Sequence, residues 1–443
     1  MMNWKQLLST KRFGLEHLDQ SNPDRTEFQR DYDRLIFSPT FRRLQNKTQV
    51  FPLPGNIFVH NRLTHSLEVS CVGRSLGERV SHFLSDKYGA EGGPFIGELG
   101  AVVSAGCLAH DLGNPPFGHS GEKAIASFFS EGNGFSLKEK YKLTDAEWDD
   151  IVNFEGNSNA LRLLTHQFVG HRAGGFVLTY STLASIVKYP WESPYIQKLK
   201  KHKFGFFQSE KEGYRRIANE LGIIEIEPGR FARHPLVYLV EAADDICYEI
   251  MDIEDAHKLR ILSTEETINL MLAFFDEERQ AHRREHMKDI ADVNEQIAYL
   301  RSSVVGELVR ECSRVFIENE EDILNGKFEG SLINSVAERV LNAYKACSRV
   351  SFDKIYQSQA VVDIEIAGYN IIYTLIDRLV NAAFQPKKAY SQQLLFRVPN
   401  QYDMYAEKPY DRILAVLDYV SSMTDIYALD LYQKITGMSL PNL

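Results

Sequence analysis

The chain has no apolar run approaching the roughly 18 residues that a membrane-spanning helix needs. Its opening residues, Met1-Met2-Asn3-Trp4-Lys5-Gln6, offer neither the apolar stretch nor the cleavage site of an export signal. The expectation is a cytoplasmic protein with no membrane partner. Cysteine is scarce: Cys71, Cys107, Cys247, Cys312 and Cys347 are scattered and odd in number. That excludes a disulfide framework and a zinc knuckle, and fits free thiols in a reducing compartment. An excess of positive charge is also missing. With a net charge of −10 the chain is a poor candidate for a general nucleic-acid coat. An anionic small substrate stays open, because local basic clusters and a metal ion can bind phosphate within an acidic whole. There is no internal repeat and no low-complexity tract.

What is present is helical periodicity over 443 residues, enough for two or three ordinary domains or one large helical body. Apolar residues recur at helical spacing over 28–37, 62–84, 95–109, 121–129, 145–168, 178–189, 235–259, 264–325, 355–384 and 410–435. Only 48–60, around Pro52-Leu53-Pro54-Gly55-Asn56, has the alternation of a β-hairpin. The basic and aromatic stretch 190–213 holds Lys198, Lys200, Lys201, His202, Lys203, Phe204, Phe206 and Phe207. It reads either as a mobile cover for a site or as a solvated excursion. Arg42, Arg43, Gln45 and Lys47 offer cations and an amide to a phosphate or sugar, or else form a solvated face. Arg279, Arg283 and Arg284 read as an exposed helix face, with an effector or subunit contact as the alternative.

The chemistry concentrates in Ala105-Gly106-Cys107-Leu108-Ala109-His110-Asp111-Leu112-Gly113-Asn114-Pro115-Pro116-Phe117-Gly118-His119. An apolar helix ends in a His-Asp pair, a Gly/Pro turn follows, and a second histidine comes after it. Imidazole and carboxylate side by side suit one divalent ion; the bland alternative is a helix end capped by a histidine. His65 adds a second imidazole from another helix. In Glu241-Ala242-Ala243-Asp244-Asp245-Ile246-Cys247-Tyr248, adjacent carboxylates in an apolar helix are costly unless a cation or hydrogen bonds compensate. Asp244, Tyr248 and Asp252 share one face at i, i+4 and i+8, so Asp244 can complete a metal site.

His65, His110-Asp111 and Asp244 resemble the H…HD…D pattern of the HD phosphohydrolase superfamily. More narrowly, the stretches from Phe41 to Val50, from Arg62 to Val69 and from His110 to His119 look like bacterial deoxyguanosine triphosphate triphosphohydrolases. Asn153-Phe154-Glu155-Gly156-Asn157, Glu241-Ala242-Ala243-Asp244-Asp245-Ile246 and Tyr419-Val420-Ser421-Ser422-Met423-Thr424-Asp425 extend the likeness over nearly the whole chain. The resemblance implies an all-α fold: an HD-domain helical core over 1–260 with a small β-hairpin, an accessory helical region over 261–350, and C-terminal helices over 351–443 completing core and pocket. It implies hydrolysis of a deoxynucleoside triphosphate, dGTP or dNTPs more broadly, to deoxynucleoside and inorganic triphosphate. The metal held by His65, His110, Asp111 and Asp244 would be Mn²⁺ or Mg²⁺, with iron a third option. His119 and Glu122 match the family's catalytic pair. Arg62 and Lys188 are phosphate candidates, with Arg42 beside them and Lys203 weaker. Gln45 and Asp252 are candidates for the sugar 3′-OH, and Tyr248 for excluding a ribose 2′-OH. A homohexamer is implied, with dNTPs or single-stranded DNA as candidate effectors. The competing readings are a 5′-nucleotidase or cyclic-nucleotide phosphodiesterase of the same superfamily, and a non-catalytic nucleotide or single-stranded DNA binder.

Overall fold

The computed structural model describes residues 1–17, 25–50 and 59–439. Three helices set the frame. Arg62–Tyr88 starts where the Asn61 side chain accepts the N–H groups of Leu63 and Thr64, and Thr64 Oγ1 accepts that of Asn61. These bonds satisfy donors that a bare helix start leaves open. Leu99–Ala109 is almost wholly buried and packs along it. The crossing is close because neither backbone carries a side chain at the contact: a Cβ on Gly77 would sit 2.8 Å from Gly100 Cα. Pro235–Lys258 completes the trio, with Pro235 in the first turn and His234 Nδ1 accepting the Leu236 N–H. The fold thus brings the His65, His110-Asp111 and Asp244 segments together.

Two apolar clusters fill the interior. The larger holds these three helices, the N-terminal segment and much of 264–347, including Val293–Glu318. The smaller joins Gly118–Ser130 to Gln359–Phe384, Pro409–Ser421 and Asp425–Thr436. No described helix is long and apolar enough to cross a membrane.

The all-α expectation holds, and the differences are local. The expected hairpin at 48–60 falls largely on 51–58, outside the described residues; beside it, Thr48 and Asn61 form one antiparallel bridge. A short hairpin that the sequence reading missed pairs Glu225–Glu227 with Arg230–Phe231 around Gly229, whose φ is 82°. The helix expected over 145–168 is two, Asp145–Val152 and Gly156–Thr165. The break comes where Glu155 caps the second helix, accepting the N–H groups of Asn157 and Ser158. The stretch 190–213 is anchored: Phe204, Phe206 and Phe207 are fully buried, and Trp191 Nε1 donates to Lys203 O. Of the arginines expected to be exposed, Arg279 forms a two-bond ion pair with Glu307 and Arg283 stacks 3.6 Å over the Phe275 ring, whereas Arg284 is exposed.

Candidate active site

His110 caps the end of Leu99–Ala109, and its Nδ1–H donates to Cys107 O at 2.6 Å. That bond fixes Nδ1 as a donor and leaves Nε2, buried and without a hydrogen-bond partner, as the nitrogen that would meet an ion in exchange for a proton. Asp244 Oδ1 lies 3.4 Å from it and 3.1 Å from His65 Nε2. Ligand atoms of His65, His110 and Asp111 all lie within 4.8 Å of one another. Two imidazole nitrogens and two carboxylates converging from three helices fit a divalent ion with mixed N/O ligands. Burial opposes the charge on Asp244, yet the His110 and His65 imidazoles hold its carboxyl well below the usual range. Burial also disfavours a charged His110, but Asp111 and Asp244 raise its pKa to about 9. These groups already demand positive charge at this point. Asp111 is oriented by Arg62, whose Nη1 donates to Oδ2 at 2.7 Å, and by Asn114 Nδ2 on Oδ1.

Arg62, His110, Asp111, Asn114 and Asp244 (with His65 behind it) border a cavity of about 410 Å³, within the range of small-molecule sites. His119 lies on its wall one residue into Gly118–Ser130, and its Nδ1–H donates to Glu122 Oε2 at 2.7 Å. The other oxygen of Glu122 accepts the Gly156 N–H at 2.7 Å. The break at Glu155 makes this possible, because it aims a helix N-terminus at the carboxylate. Glycine is required there: a Cβ on Gly156 would lie 2.0 Å from Asn114 Oδ1 and 2.9 Å from Glu122 Oε1. Burial opposes the Glu122 charge, but His119, Lys203 and the Gly156 N–H lower its pKa.

Arg62, Lys188 and Lys203 line the same cavity. Lys188 stands 3.2 Å from Glu241 and Lys203 2.9 Å from Glu155. Burial opposes charge on both lysines, but those carboxylates lead the groups that raise their pKa values, so both stay cationic. Further round the wall are Tyr248, Phe352, Tyr356, Val361 and Glu365.

The structure departs from the sequence-based site at three residues. Arg42 and Gln45 are exposed and are not among the described lining residues, because Pro39–Arg43 and the turn Leu44–Asn46 bury Phe41 and Leu44 instead. Asp252 is buried behind the wall, its Oδ2 accepting the Tyr356 hydroxyl at 2.7 Å; Tyr356 lines the cavity and Asp252 does not. Conversely, Gln49 lines the cavity with its Oε1 buried and unpartnered. Its polarity alone did not distinguish it from Gln45. Its place follows from Lys47, whose Nζ is tied to Asn114 O and Ser421 O.

Fold and ligand set together define an HD-type helical core. Residues 62–153 match the HD domain, and residues 335–434 match the phosphohydrolase-associated domain. A deoxyguanosinetriphosphate triphosphohydrolase-like protein of Synechocystis is 37% identical over 99% of this chain and 100% of its own length. One from Listeria monocytogenes is 33% identical over 99% and 100%. A deoxyguanosinetriphosphate triphosphohydrolase of Yersinia enterocolitica is 30% identical over 98% and 99%. The chain belongs to the HD-domain family of deoxyguanosinetriphosphate triphosphohydrolase-like proteins.

Proposed function

We propose that the protein hydrolyses deoxynucleoside triphosphates to deoxynucleoside and inorganic triphosphate in a metal-dependent reaction. The observation that carries this reading is the sharing of one cavity wall by His110, Asp111 and Asp244, with His65 bonded behind them, the His119–Glu122 pair and three cations. A divalent ion on His65, His110, Asp111 and Asp244, Mn²⁺ or Mg²⁺ with iron a third option, supplies polarisation of the substrate phosphate and acidification of water.

The protein's own groups supply the rest. Lys188, Lys203 and Arg62 draw the polyphosphate to the wall and offset its charge. Arg62 does so while holding Asp111. His119 is exposed to the cavity and hands a proton to the departing 5′ oxygen. Glu122 keeps that imidazole oriented through its bond to Nδ1. Tyr248 packs against the sugar where a 2′-hydroxyl would sit, and Gln49, a cavity-lining amide whose Oε1 has no partner, bonds a sugar hydroxyl. The same reading includes a cytoplasmic homohexamer, with dNTPs or single-stranded DNA as effectors.

The test is to incubate the purified protein with each dNTP singly and in mixtures, with Mn²⁺ or Mg²⁺, and to identify the products. Deoxynucleoside plus triphosphate is the expected pair. Orthophosphate release, or opening of a cyclic nucleotide instead, would move the protein to another HD activity. Nucleotide binding without turnover would make it a regulator.

A further inference from the structure

One carboxylate outside the described cavity lining grips two segments of the wall at once. Asp425 opens the helix Asp425–Thr436 and is buried. Its Oδ2 accepts the Thr48 N–H at 2.7 Å and its Oδ1 the Phe117 N–H at 3.0 Å. Thr48 precedes Gln49, and Phe117 caps the helix that carries His119. Phe117 has φ of 60°, a left-handed conformation that costs energy for any residue with a Cβ. Its side chain gives the helix no capping bond, so the turn has to be held from outside. Gly368 meets the other side of that residue: a Cβ there would lie 2.5 Å from Phe117 Cβ and Cγ. The Ser120 hydroxyl adds a bond to Glu365 O at 2.5 Å.

We propose that Asp425 is a positioning residue for the reaction. Its single carboxylate sets the left-handed turn at Phe117, and with it the direction of His119, in register with the segment bearing Gln49. This rests on the roles given above to His119 and Gln49. Asp425 acts through backbone, not on substrate. An ionised carboxylate accepts both N–H groups, and such bonds are stronger than neutral ones. An asparagine amide would turn its NH₂ donor toward one of them. None of the four metal ligands shares a hydrogen bond with Asp425; its charge acts on Arg62, which holds Asp111, and Gly368→Ala leaves that charge in place.

Two variants test the proposal. Asp425→Asn removes the charge. Gly368→Ala displaces the same turn from the other side with the carboxylate intact, and serves alone should the first variant fail to fold. Mn²⁺ binding is measured by calorimetry. Amide hydrogen exchange is followed in peptides covering 44–50 and 112–122. The kcat and KM for dGTP are measured with and without His119→Ala. The expected result is unchanged Mn²⁺ affinity, exchange accelerated roughly tenfold in those two peptides, and kcat lowered about tenfold to a hundredfold. In the His119→Ala background, Asp425→Asn should cost nothing further in kcat, because that part of its effect runs through His119, whereas a rise in KM through Gln49 persists. Unchanged exchange, or the same fold loss in both backgrounds, overturns the proposal. If the wild-type protein cleaves no dNTP, the functional reading fails separately. Exchange then decides alone: acceleration confined to the two peptides keeps the positioning role, and its absence ends it.

Discussion

His119 is 74% exposed on its side chain, yet its orientation is fixed at Nδ1 by a carboxylate that is itself held by a helix N-terminus. In the proposed reaction, exposure lets the ring pass a proton to substrate, and the bond to Glu122 sets its direction. His119→Ala is therefore expected to lower kcat about 10²- to 10⁴-fold while Mn²⁺ affinity, measured by calorimetry, stays at the wild-type value. Tyr248→Ala is expected to narrow the kcat/KM preference for deoxy- over ribonucleoside triphosphates; an unchanged ratio would remove Tyr248 from sugar selection. That His65, His110, Asp111 and Asp244 come together was expected from their residue types and from the family resemblance. Gln49 was not, because two glutamines four residues apart look alike until the tether on Lys47 decides which one faces the cavity.

At the scale of elements, the helices were legible and their ends less so. Apolar periodicity runs through 145–168, but it does not register the cap at Glu155 that splits the helix and aims Gly156 at Glu122. The start of the Asp244 helix carries its own prediction. His234 Nδ1 accepts the Leu236 N–H while Nε2–H donates to Leu7 O at 3.2 Å, an arrangement that needs the neutral ring. Burial lowers its pKa to about 4, although the bond to Leu7 O works the other way. Between pH 6.5 and 4 the unfolded chain takes up a proton that the folded chain refuses, so stability falls as the pH drops through this window. The loss saturates below pH 4, at about 3 kcal/mol for this one group. His234→Asn keeps a cap acceptor without the titration. Denaturant melts at pH 7 and pH 4.5 should show a smaller acid loss than in wild type.

At the scale of the molecule, buried charge joins the two apolar clusters. Arg162, on the helix that serves Glu122, donates two bonds of 2.8 Å to Asp418 and one of 2.8 Å to Glu210. Arg162→Met would strand two buried carboxylates, and chemical denaturation should show a loss of about 3–5 kcal/mol. The grip of Asp425 on Thr48 and Phe117 belongs to the same pattern: the C-terminal helices hold the turn between the His-Asp pair and His119. Such contacts join residues 256 and 308 positions apart, which local spacing cannot reveal. Phe352, Tyr356, Val361 and Glu365, more than 230 positions beyond the His-Asp pair, line the same cavity.

In the proposed reaction a metal ion held by His65, His110, Asp111 and Asp244 enables removal of triphosphate from a deoxynucleoside. Phosphorus NMR of dGTP incubated with the Mn²⁺-loaded protein tests it directly, with the His65→Ala variant alongside. The expected result is the appearance of tripolyphosphate with the wild-type protein and its absence with the variant. Orthophosphate or pyrophosphate as the first product, or a variant as active as wild type, would contradict the account.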